Sequence, residues 1–169
     1  MPEEIAMRVS SSSTDETRLV FRSVAGEDLP RLTRLDRLCF EPGIAYSQRD
    51  IRRFLSMPGA ESVIAESAGE LAGFAIGHPD PPDLARVVTL DVAPSFRRRG
   101  LGEKLLDGLL GRLAASGATR ALLEVDVRNS GAIAFYRKQG FSESGRLPSY
   151  YGPGLDAFEM QREIVRPRA

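Results

Sequence analysis

The chain has 169 residues, of which 42% are hydrophobic and 27% charged, a composition typical of a single soluble globular domain. Its 23 basic residues balance 23 acidic residues, and a net charge of zero argues against a dedicated nucleic-acid binder. The single cysteine, Cys39, excludes an intrachain disulfide, and the single histidine, His78, excludes a metal site built on two histidines. We therefore expect no metal and no nucleic-acid partner.

The N-terminal region and the hydropathy of the chain favour a cytoplasmic enzyme or binding module. No apolar run approaches the roughly 20 residues that span a bilayer, and Glu3 and Glu4 replace the basic start of a signal peptide. Residues 1–17 are polar and aperiodic, which predicts a flexible tail. Residues 18–166 are predicted to form one domain because no repeat or linker interrupts them.

The first half of the predicted domain reads as a strand, two helices and a hairpin. A strand is predicted over residues 19–22, and Asp28 is expected to cap a helix from Leu29 to about Phe40. Ser47, with Asp50 three residues later, has the spacing of a capping box for a second short helix. Strands over residues 62–66 and 71–76 flank a turn, and His78 is expected at the surface of a loop over residues 78–82.

The second half alternates strands and helices. A β-branched strand covers residues 84–92 and ends before Pro94. Helices are predicted from Gly102 to about Ala115 and from Asn129 to Gly140, and further strands over residues 121–127 and 158–165. Early hairpins followed by a strand–helix–strand unit predict a mixed sheet with helices on both faces.

The segment Arg97-Arg98-Arg99-Gly100-Leu101-Gly102, between a strand and a helix, has the chemistry of an anion cradle. Its glycines let the backbone approach a ligand, and the unpaired N–H groups of the helix start attract negative charge. The arginines and Lys104 add positive charge. These residues alone fit a solvated basic turn equally well, and the glycine spacing is neither that of a P-loop nor that of a dinucleotide fingerprint.

Two motifs in order make the chain resemble the GNAT superfamily of N-acetyltransferases. Arg97-x-x-Gly100-x-Gly102 is similar to its central acetyl-CoA motif, and residues 129–141, with Asn129, Tyr136 and Gly140-Phe141, are similar to its second signature. The resemblance is strongest from Thr89 to Phe141. It implies an α/β (α+β) fold with a mixed, mostly antiparallel sheet of about seven strands flanked by about four helices. It also implies an enzyme that binds acetyl-CoA.

Within the superfamily, the chain most resembles the N-terminal protein acetyltransferases, including the bacterial ribosomal-protein alanine acetyltransferases. Leu123-Glu124-Val125, Tyr150-Tyr151 and Ala45-Tyr46-Ser47 carry this likeness. The chain departs from it at Pro148-Ser149, where the family often has a basic or polar residue before the paired tyrosines. The likeness implies an N-terminal α-amine as acceptor, with Tyr46, Tyr150 and Tyr151 as substrate contacts, although strand-end packing would also suit the paired tyrosines.

The chemistry of amine acetylation selects the catalytic candidates. The attacking amine must be neutral, and a carboxylate can take its proton. Glu124 is our candidate base because a carboxylate is costly in an apolar strand without a purpose, and Asp126, on the same face, is the alternative. The alternative, purely structural explanation of Glu124 is that it faces solvent on its strand and pairs with an arginine. The resemblance places Tyr136 at the position of the general acid, where helix packing beside Phe135 is the structural explanation.

The resemblance also assigns the cofactor site. The backbones of Leu90 and Val92 would pair with the pantetheine arm, the N–H of Val92 would stabilise the developing oxyanion, and Asn129 would contact the cofactor while capping its helix. The complete set of cofactor-binding candidates is Leu90, Val92, Arg97, Arg98, Arg99, Gly100, Leu101, Gly102, Glu103, Lys104, Asn129, Ala132, Tyr136 and Lys138.

Two alternatives stay open on sequence grounds. The acceptor could be a small amine such as a polyamine, an antibiotic or an amino acid. A catalytically silent sensor of acyl-CoA is a second alternative, against which the presence of both Glu124 and Tyr136 argues. The sequence is compatible with a monomer or a homodimer and gives no sign of a membrane partner.

Overall fold

A computed structural model describes residues 18–165, and the predicted tail over residues 1–17 lies outside them. The described residues form one seven-stranded sheet and four α-helices, which confirms the predicted α/β (α+β) class. The strands are β1 Leu19–Arg22, β2 Glu61–Ser67, β3 Glu70–Asp80, β4 Leu84–Val92, β5 Arg120–Asp126, β6 Ser142–Leu147 and β7 Ala157–Glu163. The helices are α1 Leu29–Cys39, α2 Gln48–Leu55, α3 Leu101–Ala115 and α4 Ser130–Lys138.

The sheet has the strand order β1-β2-β3-β4-β5-β7-β6, and β4 and β5 are its one parallel pair among the described residues. Short hairpin connections join β2 to β3 and β3 to β4, whereas α1 and α2 lie in the chain between the antiparallel neighbours β1 and β2. The parallel pair needs a crossover, and α3 supplies it. The pair β4–β5 therefore marks the boundary between the two halves of the sheet.

Each face of the sheet is covered by two helices. On one face, α3 packs a stripe of buried leucines against the strands, joined by Ile133 of α4; the stripe is Leu101, Leu105, Leu106, Leu109, Leu110 and Leu113. Gly73 of β3 permits the close approach of α3, since a Cβ there would lie 2.9 Å from Leu105 and 2.5 Å from the carbonyl oxygen of Asp91. On the other face, α1 and α2 bury Leu32 and Ile51.

Of the caps predicted for α1 and α2, the one for α2 is confirmed and the one for α1 is wrong. Ser47 Oγ accepts the N–H of Asp50, and the Asp50 carboxylate accepts the N–H of Ser47, so the predicted capping box is confirmed. Asp28 stands at the N-cap of α1 but does not cap it. Its carboxylate instead accepts the N–H of Ala25 and binds Arg22 and Arg31, which are stronger charged donors.

The predicted loop over residues 78–82 is wrong at its start, because β3 continues to Asp80. His78 pairs with Arg86 of β4 and is 8% exposed, so the expected surface position is also wrong. Pro79 misled the prediction, since proline is uncommon inside strands. Here it lies beyond the last pairing of β3 with β2, at Gly77, where β3 has a partner on one side only.

Candidate functional site

The functional cleft opens where β4 and β5 part. Their ladder covers only three pairs, ending at Arg86 with Leu122. Beyond it lies a cleft of about 970 Å³, lined on one side by Leu90 and Val92 of β4 and on the other by residues 123–126 of β5. Backbone groups on the β5-facing edge of this half of β4 have no strand partner among the described residues, so an extended ligand could pair with this edge, except at the carbonyl oxygen of Val92, which accepts the Nε of Arg97.

The glycine-rich turn leads into α3 at one end of this cleft. Gly100 takes a left-handed conformation, with φ of 75°, and α3 begins at the next residue. The first N–H groups of the helix have no intrahelical partner, and with the helix dipole they form an anion site. A Cβ on Gly102 would lie 3.3 Å from the ring of Phe135, so glycine also lets α3 approach α4.

The cationic side chains of the turn divide into two groups. Arg97 and Arg98 line the cleft, whereas Arg99 and Lys104 are not among the lining residues. Arg97 is already used, because its Nε donates to the carbonyl oxygen of Val92 at 3.1 Å and its guanidinium also contacts Cys39 Sγ. The guanidinium of Arg99 lies over the ring of Phe96. Arg98, which is exposed like Arg97, also lines the cleft and takes no part in these contacts.

Helix α4 supplies a further wall of the cleft. Asn129 caps it, with its side-chain oxygen accepting the N–H of Ala132 at 3.1 Å, so the predicted capping role is present. Asn129, Ala132, Tyr136 and Lys138 all line the cleft, as do Leu101, Gly102 and Glu103 of α3.

Tyr136 is half-buried between two aromatic rings. The centroids of Phe135 and Phe141 lie 5.3 and 5.7 Å from its own, both edge-on. Burial raises the pKa of Tyr136, and the nearby Asp91 raises it further. The phenol therefore stays protonated at neutral pH and can act as a donor.

Glu124 lies on β5 with its side chain 12% exposed, and it lines the cleft. It forms an ion pair with Arg86, which also binds Asp80 at 3.3 Å. The alternative to a catalytic role was that Glu124 faces solvent and pairs with an arginine. The arginine partner is present, but Glu124 does not face solvent. Arg86 is a site residue that sequence reasoning missed, and its signal in the sequence was a basic residue inside the mostly apolar strand β4.

Asp126 lines the same cleft two residues along β5 but is engaged by Arg128. The backbone N–H of Arg128 donates to Asp126 at 2.9 Å, and its guanidinium binds the carboxylate at 2.7 Å. These hydrogen bonds lower the pKa of Asp126, which makes it a weaker proton acceptor. Arg128 also pairs with Glu41 on the rim of the cleft.

The three predicted substrate tyrosines, Tyr46, Tyr150 and Tyr151, all line this cleft. Tyr150 and Tyr151 stack edge-on at 4.9 Å, and Tyr46 packs edge-on against Phe54 at the same distance. Burial raises the pKa of Tyr46, and the neighbouring Tyr150 contributes. Burial likewise raises the pKa of Tyr151, with Tyr46 next in effect. All three phenols are therefore neutral at ordinary pH, and all three residues line the cleft.

Cys39 is half-buried and lines the cleft beside the end of β4. Its Sγ lies 3.6 Å from the carbonyl oxygen of Val92. Burial, followed by the charge of Asp91, raises the pKa of the Cys39 thiol to about 11, so the thiol is a neutral lining group.

No helix within residues 18–165 is long and apolar enough to cross a membrane.

Comparisons with known proteins agree with this geometry. Residues 29–141 match the acetyltransferase (GNAT) family. The chain is 31% identical over 160 residues to the N-alpha-acetyltransferase RimI of Mycobacterium tuberculosis, covering 92% of this chain and 99% of that protein. It is 35% identical over 156 residues to an uncharacterized protein of Mycobacterium leprae, covering 89% of this chain but only 42% of that longer protein.

Among solved structures, the chain resembles the ribosomal-protein-S18-alanine N-acetyltransferase from Escherichia coli. The TM-score is 0.78 at 26% sequence identity, and the alignment covers 89% of this chain and 97% of that one. The similarity therefore extends over almost the whole described region.

Proposed function

Because the chain belongs to the GNAT family and is an acetyl-CoA-dependent acetyltransferase, we propose that its acceptor is the N-terminal α-amine of a protein or peptide. One observation carries the proposal: a single cleft joins an anion-binding helix start to a carboxylate and three tyrosines at its other end. The relatives named as acetyltransferases of ribosomal-protein alanine and of α-amines support this acceptor.

The cofactor end of the cleft has the donors that acetyl-CoA requires. The N–H groups of residues 101–103 and the guanidinium of Arg98 would hold the pyrophosphate. The unpaired edge of β4, at Leu90 and Val92, would align the pantetheine arm, and Asn129, Ala132 and Lys138 would close the other side. When bound, acetyl-CoA supplies an acetyl group activated as a thioester.

The acceptor end has the groups needed to activate an amine. A peptide α-amine has a pKa near 8, so a carboxylate that removes its proton raises the fraction able to attack. Glu124 is the better acceptor of that proton because Asp126 is held by three donors from Arg128. Accepting it requires Glu124 to loosen its pairing with Arg86, which Asp80 continues to hold.

Two side chains and one backbone N–H group would then assist the transfer of the acetyl group to the amine. The amine nitrogen bonds to the acetyl carbon while its proton passes to Glu124, and the N–H of Val92 would donate to the oxygen that gains charge. The carbon–sulfur bond breaks, and the hydroxyl of Tyr136 gives its proton to the departing sulfur. Tyr136 suits this step because burial keeps its phenol protonated.

Release of free thiol from acetyl-CoA tests the proposal. The purified protein is given a peptide with a free α-amine, the same peptide with a blocked α-amine and a free lysine, and a panel of free amines. We expect thiol release with the first peptide, and mass spectrometry should place the acetyl group on its N-terminus. Turnover of lysine or of small amines alone would instead show that the acceptor is not an N-terminus.

A further inference from the structure

Two buried carboxyl groups meet beneath the cleft and take no part in the mechanism above. Asp36 of α1 is 0% exposed and Asp91 of β4 is 1% exposed, and the two side chains are within hydrogen-bonding reach of one another. Asp36 Oδ2 accepts the backbone N–H of Tyr46 at 2.6 Å, and Asp91 Oδ1 accepts the hydroxyl of Thr89 at 2.6 Å. Asp36 Oδ1 and Asp91 Oδ2 have no partner among the described residues.

Two adjacent ionised carboxylates are not stable in such a place. Burial raises the pKa of Asp36, and burial together with the charge of Asp36 raises that of Asp91 well above its ordinary value. A single proton resolves both problems, because it halves the buried charge and makes one carboxyl a donor to the other. That hydrogen bond would also satisfy the two oxygens that have no other partner.

The groups around the pair do not replace this proton. They are the thiol of Cys39 on α1, the guanidinium of Arg97 after β4, and the phenols of Tyr46 and Tyr136. Arg97 is the one cation of this set, and it makes its hydrogen bonds to Val92 and Cys39. Within residues 18–165, no lysine or arginine forms an ion pair with Asp36 or Asp91.

We propose that Asp36 and Asp91 share one proton, and that this link positions the acceptor side of the cleft against its acyl side. Asp91 lies between Leu90 and Val92, the two residues of β4 whose backbones face the cofactor. Asp36 holds the backbone of Tyr46, whose ring lines the acceptor end. The pair therefore joins the strand that aligns the acetyl group to the segment that receives the amine, and this role rests on the proposed function.

The shared proton is tested by unfolding, which needs no substrate. In the unfolded chain both aspartates ionise near 3.8, whereas the folded pair keeps one proton. Above that pH the folding equilibrium constant should fall about tenfold per pH unit, until the raised pKa of the pair is passed. Asp91→Asn supplies an amide N–H in place of the proton, so this decrease should disappear in urea unfolding between pH 5 and 7.

Asp28→Asn is the matched control, since Asp28 is equally buried but has a lowered pKa. It should keep the wild-type decrease over the same pH range. An identical pH dependence in the wild type and in Asp91→Asn would overturn the shared proton, whatever the enzyme acetylates.

The positioning role is tested by measuring the KM of the peptide and the KM of acetyl-CoA separately in variants of Asp36. Asp36→Leu removes the acceptor for the Tyr46 N–H, and we expect the KM of the peptide to rise about tenfold while that of acetyl-CoA changes little. Asp36→Asn keeps an oxygen for Tyr46 and an N–H for Asp91, so it should restore the peptide KM. An equal rise of both constants, or no rescue by asparagine, would contradict the positioning role. The unfolding comparison remains decisive for the shared proton if the leucine variant does not fold.

Discussion

At the scale of single residues, the environments of Glu124 and Asp126 decide which carboxylate can act as the base. Both lie on one face of β5 and both have an arginine partner. Asp126, however, is bound by three donors of one residue, and its pKa is lowered, which favours a permanently charged structural group. Glu124 shares its arginine with Asp80 and can exchange that partner for an incoming amine.

We therefore predict that Glu124→Gln lowers kcat by about 10²-fold or more, because glutamine is isosteric but cannot take a proton. Asp126→Asn, the matched variant on the same strand, should reduce kcat far less. Steady-state kinetics with a fixed peptide measure both. A larger loss in Asp126→Asn than in Glu124→Gln would reverse the two assignments.

Tyr136 offers a second prediction at this scale, since its hydroxyl is needed only as the carbon–sulfur bond breaks. Tyr136→Phe keeps the packing against Phe135 and Phe141, so we expect a kcat lowered about tenfold or more with little change in the KM of acetyl-CoA. Tyr151→Phe removes a hydroxyl at the acceptor end and should act mainly on the KM of the peptide. An unchanged kcat in Tyr136→Phe would leave the tyrosine a packing role only.

At the scale of secondary-structure elements, local sequence determined most boundaries and long-range packing determined the site. The bounds predicted for β4 are confirmed because prolines on both sides limit its β-branched run. The capping box of α2 is likewise complete within four residues. The end of β3 was missed because its pairing with β4, and not the local sequence, keeps Pro79 in the strand.

The contacts that tune the cleft join residues far apart in the chain. Arg86 meets Glu124 across the parting strands, and Asp36 meets Asp91 across a helix and a sheet. Motif spacing could place Glu124 and Tyr136 near the cofactor turn. It could not reveal these partners, because each pair exists only once the helices have packed on the sheet.

The start of α3 gives a prediction for an element. A Cβ added at Gly100 or at Gly111 meets nothing within 4 Å, so the two glycines differ in backbone conformation alone. Gly100 has φ of 75°, and alanine there should cost about 1–2 kcal/mol and weaken binding of acetyl-CoA. Gly111, inside α3, should gain up to about 1 kcal/mol as alanine without a change in binding. Urea unfolding and calorimetric titration with acetyl-CoA measure the two effects.

At the scale of the whole molecule, a charged cluster ties the edge of the sheet to the first helix. Asp28 binds Arg22 of β1 and Arg31 of α1, and Glu66 of β2 binds the same two arginines. The hydrogen bonds from Arg22 are the largest cause of the lowered pKa of Asp28. For Glu66, the hydrogen bonds from Arg31 are the largest cause of the lowered pKa. Both carboxylates are therefore ionised in the folded protein at a pH where the unfolded chain would begin to take up protons.

This cluster predicts the behaviour of the molecule in acid. Because both folded-state pKa values are lowered, the stabilisation is complete above the ordinary values of 3.8 and 4.5 and is lost as pH falls through the lowered values. Asp28→Asn should therefore cost about 1–3 kcal/mol of unfolding free energy at pH 6 and less near pH 3, where the unfolded chain has begun to take up a proton at Asp28 but the folded carboxylate is still ionised. Urea unfolding at the two pH values measures this, with Glu27→Gln, an exposed neighbour, as the control that should change neither.

A cost of Asp28→Asn that is the same at both pH values would contradict the role of ionisation in the cluster. The sign of this effect is opposite to that of the Asp36–Asp91 pair, whose raised pKa values favour the folded protein at low pH. The contribution of Asp28 to the stability of the folded protein and that of the Asp36–Asp91 pair thus change with pH in opposite directions. Arginine donors hold Asp28 ionised, whereas the second carboxyl group beside Asp36 and Asp91 favours a shared proton.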